Sequence, residues 1–180
     1  MSHLFHHTTG YIIASQDYGE ANRLYQILTP DHGLVTVTAQ GVRQLASKLR
    51  YHLKEFVELR LTLVRGREVW RLIGVEHRDP KWLSSAERLL AKRIFSLLKR
   101  LVVGEEKGEE LYGVVHCLMT DLNSRRLDAE ALYQLELATV LSTLRVLGYL
   151  PAGQLPAAGE VLVPAHAISL INRALQASQL

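Results

Sequence analysis

Residues 56–76 read FVELRLTLVRGREVWRLIGVE, and this stretch sets the fold class. From Phe56 to Val64, Val57, Leu59, Leu61 and Leu63 fall on one face and Glu58, Arg60 and Thr62 on the other. A period of two with one apolar face is the pattern of a half-buried β-strand. Arg65-Gly66-Arg67 supplies a short connection, and Glu68 to Glu76 returns as the hairpin partner. Upstream, Leu34 to Ala39 (LVTVTA) is β-branched and alternating. Pro30-Asp31-His32-Gly33 before it is a turn, since Pro presets φ and Gly tolerates a positive one. Asn22 to Thr29 and Thr9 to Gln16 are two further strands, joined through the turn Asp17-Tyr18-Gly19-Glu20. Five strands of this size predict a small closed or nearly closed barrel. The gap between the third and fourth is where an OB-fold places its extra segment.

Downstream of Asp79-Pro80 the apolar period changes to three and four. Ser84 or Ser85 can cap a helix carrying Leu89, Leu90, Ile94, Leu97, Leu98 and Leu101. Gly104 to Gly108 breaks it, and Glu109 to Leu122 resumes with acidic residues at its start, where the helix dipole favours them. Asp128 caps a third helix running to Leu147, with Gly148 placed to end it. Leu150 to Gly159 reads as a loop, and Pro164 to Ala177 as a short last helix. The expected class is α+β: an N-terminal OB-fold β-barrel over residues 1–80 and a C-terminal helical bundle over residues 81–180.

Hydrophobic content of 48% with 22% charged residues excludes intrinsic disorder as the expected state. A single cysteine, Cys117, excludes an intramolecular disulfide and a Cys-x-x-Cys zinc pair. Its apolar helical surroundings predict a small core residue. No apolar run reaches the ~20 residues that span a bilayer, and MSHLFHHTTG lacks the layout of a signal peptide. A cytoplasmic protein is expected. His3, His6 and His7 lack partner ligands at fixed spacing, so no metal site is expected there. No HExxH, Walker loop, GxSxG or paired-carboxylate pattern occurs, and no catalytic residue is assigned.

Charge is concentrated between Gln40 and Arg71. Eight basic residues (Arg43, Lys48, Arg50, Lys54, Arg60, Arg65, Arg67, Arg71) face three acidic ones (Glu55, Glu58, Glu68), a local net of +5 in a chain whose total is +3. Everything outside that window is therefore net acidic. Positive charge gathered beside a barrel is what phosphate binding requires, because neutralised phosphates release counterions. An ordinary solvated loop and charged hairpin would look the same, and charge alone leaves both readings open. Stacking aromatics would favour the first. The candidates are Tyr11, Tyr18, Tyr25, Tyr51, Phe56 and Trp70; Tyr51 lies between Arg50 and His52, while Trp70 suits a half-buried barrel position better.

Taken in order, these segments resemble the RecO family of bacterial recombination mediators. GYIIASQDYGEANRLYQILTPDHGLVTVTAQGVR is similar to the family's opening: a strand, a turn with aromatic-x-Glu, a strand ending near Thr-Pro, a Gly, then a strand leading to Gly41 and Arg43. Ser47 to Arg50, Glu55-Phe56 and the hairpin LVRGREVWRL continue the likeness. Glu136, Leu137, Leu147, Gly148, Tyr149 and Pro151 echo a Glu-Leu…Leu-Gly-Tyr-x-Pro segment. Gln40 stands where the family usually has a basic residue, and Glu55 where it has Pro.

The resemblance implies binding of single- and double-stranded DNA, strand annealing, RecA loading with RecR, contact with the tail of single-strand-binding protein, and a nucleoid-associated cytoplasmic place. The DNA-binding residues expected are Arg43, Lys48, Arg50, Lys54, Arg65, Arg67, Arg71 and Tyr51. No cofactor, membrane or enzymatic activity is implied. Two departures matter. The Cys-rich insertion of many members is replaced by the short stretch Ala152 to Glu160, so no zinc is expected. Tyr133 and Gln134 stand where members that bind the single-strand-binding protein tail are basic. The alternative is a protein-interaction module working through its helices, with the basic loop incidental.

Overall fold

A computed structural model describes residues 4–77, 83–102, 108–124, 126–150 and 164–177. The readings placed on His3, Asp79-Pro80, Gly104 to Lys107 and Pro151 to Glu160 lie outside the described residues. The chain divides into two compact units: Met1–Trp82 with Val102–Tyr112, and Leu83–Leu101 with Gly113–Leu180.

The first unit is a closed barrel of five strands in the order β1-β2-β3-β5-β4, the OB-fold arrangement. The strands are β1 (Phe5–Tyr18), β2 (Asn22–Thr29), β3 (Gly33–Ala39), β4 (Leu59–Arg65) and β5 (Trp70–His77). Neighbours are antiparallel except β3 and β5, whose parallel pairing of Val37 with Trp70 and Thr38 with Arg71 closes the barrel. The alternation read from the quoted stretch holds: Leu59, Leu61 and Leu63 are buried in the core with Ile27, Val35, Val37 and Leu72. Each such leucine contributes about 1.5–3 kcal/mol relative to an exposed one. β4 begins three residues later than the alternation suggests, because Phe56 turns the chain at φ 61°. β1 is longer at both ends than its apolar centre indicates. Its His6 ring packs edge-on against Trp70 with centroids 5.0 Å apart, and His32 lies 4.7 Å from the same indole. Two polar residues thus help to close one end of the barrel.

The other end is closed by the segment between β3 and β4. It contains the short helix α1 (Leu49–His52), whose Leu49, together with Leu53 and Val57, packs on the barrel core. The turns at Gly19, Gly33 and Gly41 all need positive φ, near 63–65°, and glycine meets that at no steric cost.

Residues 102–112 belong with the barrel. They include the first turn of α3 (Gly108–Ser124). Leu111 is fully buried, and Tyr112 lies over Tyr11 with centroids 5.5 Å apart. The Tyr112 hydroxyl donates to Glu58 and accepts from Thr9 Oγ1 at 2.8 Å. Burial first, and the Glu58 carboxylate second, push its ionisation far above the ordinary phenol range. Burial raises Tyr25 as well, against the opposing pull of Arg23. The sign follows from linkage. An unfolded tyrosine gives up its proton near its ordinary value of about 10. The folded chain retains it, so stability is full below that pH and falls as pH rises beyond it. An absorbance titration of tyrosinate should show Tyr112 and Tyr25 ionising late, together with unfolding, and Tyr112→Phe should remove one late phenol. Uniform titration of all seven tyrosines would refute the buried placement.

In the second unit, α2 (Ser85–Leu101), α4 (Ala129–Val146) and α5 (Pro164–Ala177) pack α2 on α4 and α4 on α5. Leu137, Leu141, Leu144, Leu150, Ala167 and Leu170 form their core with Leu101. The ends of the helices are set by local chemistry. Ser84 and Glu87 form a capping box: the Ser84 N–H donates to Glu87 Oε2 at 2.7 Å and the Glu87 N–H to Ser84 Oγ at 3.3 Å. Asp128 caps α4 by accepting from the Ala131 N–H at 2.8 Å. Gly148, at φ 83°, ends it in a Schellman motif, with Gly148 N–H donating to Arg145 O and Tyr149 N–H to Leu144 O.

Cys117 is a correction: it is exposed. The buried stripe of α3 runs through Leu111, Val115, Leu118, Met119 and Leu122, and position 117 falls off that arc at 100° per residue. Among the described residues no helix is long and apolar enough to cross a membrane.

Candidate nucleic-acid interface

The stretch from Gln40 to Lys54 is an ordered succession of turns rather than an open loop. The Gly41 N–H donates to Asn22 Oδ1 at 2.9 Å, the Arg43 N–H to Ala21 O at 3.0 Å, and the N–H groups of Gln44 and Ser47 to the carbonyls three residues before them. Arg43 is the central tie. Its Nη1 donates to Gly19 O at 2.9 Å and its Nη2 lies 3.4 Å from the Asp17 carboxylate. Asp17 also accepts from Arg23 at 2.9 Å. The guanidinium of Arg43 therefore holds the β1–β2 turn against the segment after β3.

Lys48, Arg50, Tyr51 and Lys54 sit on or beside α1 and are all exposed. Tyr51 is 64% exposed, which leaves a ring face open for a base, and the Arg50 guanidinium lies 5.8 Å from its centroid. Cation and ring share one surface, as base stacking beside a phosphate requires. The β4–β5 connection lies at the far end of the barrel from α1, since Arg65 pairs with Trp70 whereas Leu59 pairs with His77. Arg65 and Arg67 are exposed there, with the Arg65 guanidinium 5.4 Å from the Trp70 ring centroid. Arg71 is exposed on the wall between β3 and β4. Apart from Arg43, which is tied to the β1–β2 turn, the expected residues thus form two groups, one around α1 and one around the hairpin, rather than one loop.

The aromatic candidates divide sharply. Tyr11, Tyr25 and Trp70 are buried, so the half-buried position expected for Trp70 becomes a fully enclosed one. Phe56 is partly buried, and Tyr18 and Tyr51 remain exposed.

A groove of about 820 Å³ runs along β1, β4 and β5 from α1 to the β2–β3 turn. His7, Lys48, His52, Arg60, Thr62 and Glu76 line it, with Asp31, which accepts from Thr8 Oγ1 at 2.6 Å. Arg60, His7 and His52 are not among the DNA-binding residues expected from the sequence. Their nearness depends on register, which sets Thr9 opposite Arg60, Arg60 opposite Glu76 and His7 opposite Thr62. Among the described residues, no group of three or more His, Cys, Asp or Glu side chains is placed to hold a metal ion.

Residues 1–80, the barrel strands with α1, match the family described as Recombination protein O N terminal. The chain is 30% identical over 134 residues to the DNA repair protein RecO of Myxococcus xanthus (strain DK1622), covering 72% of this chain and 54% of that protein. The chain belongs to the RecO family. Other RecO relatives agree. The DNA repair protein RecO of Gloeothece citriformis (strain PCC 7424) is 32% identical over 111 residues, 60% of this chain and 39% of that protein. That of Trichodesmium erythraeum (strain IMS101) is 40% identical over 68 residues, 38% of this chain and 24% of that protein. The chain spans about half the length of its RecO relatives, 54%, 39% and 50% of three of them.

Proposed function

We propose that this chain is a recombination mediator in DNA repair, without catalysis of its own. Residues 1–80 act as an OB-fold domain that binds single- and double-stranded DNA. Residues 81–180 act as a helical domain that docks partners. In this reading it promotes strand annealing and, with RecR, the loading of RecA. Its place of action is the cytoplasm, at the nucleoid. One observation carries the proposal: Lys48, Arg50 and Lys54, all exposed, lie within three residues of the exposed Tyr51, with the Arg50 guanidinium against its ring, on an OB barrel of the RecO family. Arg65, Arg67 and Arg71 extend the cationic surface toward the hairpin. Tyr133 and Gln134 are not the basic pair that would favour an acidic tail, so contact with single-strand-binding protein rests on family membership alone.

The test is a fluorescence titration with single- and double-stranded DNA at two salt concentrations. Binding that weakens linearly in log salt is the expected result. No retention of DNA at low salt, combined with capture of RecR, would instead establish the interaction-module reading. Exposed Leu89, Tyr133 and Ile168 on the helices are the residues such a module would offer.

A further inference from the structure

The groove along β1, β4 and β5 differs from both cationic groups in one respect: its charges are mixed. Lys48 and Arg60 are exposed, and neither makes an ion pair or side-chain hydrogen bond among the described residues. Arg60 is set opposite Glu76 by the β4–β5 register without closing a salt bridge to it. Two cations without partners beside two carboxylates cost the barrel electrostatic complementarity that a small rotamer change could supply. A ligand with both an anionic and a hydrogen-donating part would use both signs. The volume, about 820 Å³, lies in the range of small-molecule sites, ~300–1,000 Å³, and is ample for a nucleotide unit.

We propose that this groove holds a nucleotide segment of a single strand, its phosphates on Lys48 and Arg60 and a base edge on Glu76. A carboxylate accepts hydrogen bonds and gives none, so it selects bases that carry an exocyclic amino group, as glutamate does with cytosine N4. The groove therefore prefers cytosine to thymine. His52 and His7 flank the two cations, and the Thr62 hydroxyl, which already pairs with His7 Nδ1 at 3.2 Å, fixes that ring. Lys48 stands on both the α1 surface and the groove, so one strand can pass from the Tyr51 ring into the groove without leaving cationic contact. The inference rests on the DNA-binding reading above, and Arg60 separates the two, because it lines the groove and belongs to neither cationic group.

Anisotropy titrations with short oligo(dC) and oligo(dT) test it on the full chain. Arg60→Gln should weaken oligo(dC) binding about tenfold and reduce the salt slope by about 0.7, the value of one single-strand phosphate contact. Glu76→Gln should abolish the preference for oligo(dC) over oligo(dT) while leaving the salt slope in place. Both residues are exposed, and an unchanged thermal midpoint shows that each variant folds. Wild-type binding that Arg60→Gln leaves intact, while Arg50→Gln with Lys54→Gln weakens it, overturns the groove and spares the DNA-binding reading. A cytosine preference that survives Glu76→Gln overturns the base assignment. Failure of the wild-type chain to bind either oligonucleotide overturns the reading beneath both.

Discussion

Reversing Lys48, Arg50 and Lys54 to glutamate lowers the slope of log K against log salt by about 2 units on single-stranded DNA, at roughly 0.7 for each lost phosphate contact. The same measurement on Arg43→Gln gives almost no change in slope. The distinction comes from what each cation already does. Lys48, Arg50 and Lys54 are exposed on α1 and its flanks, and no carboxylate pairs with them among the described residues. A phosphate that meets them releases its condensed counterion. Arg43 is bound to the Asp17 carboxylate at 3.4 Å and to the Gly19 carbonyl at 2.9 Å. Its charge is largely spent before DNA arrives. Losing it loosens the tie between the β1–β2 turn and the segment after β3, at a cost of up to about 1 kcal/mol for an exposed pair. Affinity then falls modestly through lost order, with the salt dependence preserved. Titrations across a salt series on the two variants decide the matter. An Arg43→Gln slope that drops as far per residue as the triple reversal would place Arg43 on the phosphate path.

That contrast shows where the sequence stops being informative. The barrel was legible because β4 alternates strictly and its leucines had to face one way. The turns were legible because Gly19, Gly33 and Gly148 stand where positive φ is required. The caps at Ser84 and Asp128 follow from short polar side chains placed before an apolar period. What a cation is paired with was not legible. Arg43 and Arg50 look alike in a charge count, yet Asp17 lies 26 positions before Arg43 and is brought to it only by the fold. Trp70 is a similar case. Alternation with Arg71 suggests a half-exposed ring, but His6 and His32, drawn from two other strand ends, complete its enclosure. The groove residues Arg60, Glu76 and His7 come together through the β1–β4 and β4–β5 registers, which no local pattern states. The assignment of 102–112 to the barrel was hidden for the same reason. Helical periodicity in α3 shows that a helix exists and says nothing of which unit its first turn joins.

Gly108→Ala should destabilise the protein by about 2–3 kcal/mol, and Gly113→Ala, five residues further along the same helix, should stabilise it by up to about 1 kcal/mol. Both changes add one methyl group to a glycine of α3, and helix propensity favours alanine at Gly113, inside the helix, more than at Gly108, its first residue. The difference lies in what the methyl meets. At Gly113 nothing comes within 4 Å. At Gly108 a Cβ would stand 2.5 Å from Gly33 N, 2.7 Å from Gly33 Cα and 2.8 Å from Pro30 O. All three are backbone atoms of the β2–β3 turn, so no side chain can rotate away. Gly33 itself is held at φ 65°, and its carbonyl accepts from Thr29 Oγ1 at 3.1 Å, which leaves the turn little freedom to retreat. The start of α3 must therefore lift from the barrel. Lifting it strains the contacts that follow: Leu111 in its buried seat, and the Tyr112 hydroxyl between Thr9 and Glu58. Urea unfolding of the two variants provides the comparison, and the tyrosinate titration provides a second reading. In Gly108→Ala, Tyr112 should ionise earlier than in the wild type because its burial is partly lost. Equal and opposite behaviour is not required, only opposite signs. If both variants stabilise the chain by the same amount, helix propensity alone governs α3 and the close seating of Gly108 on the β2–β3 turn is wrong.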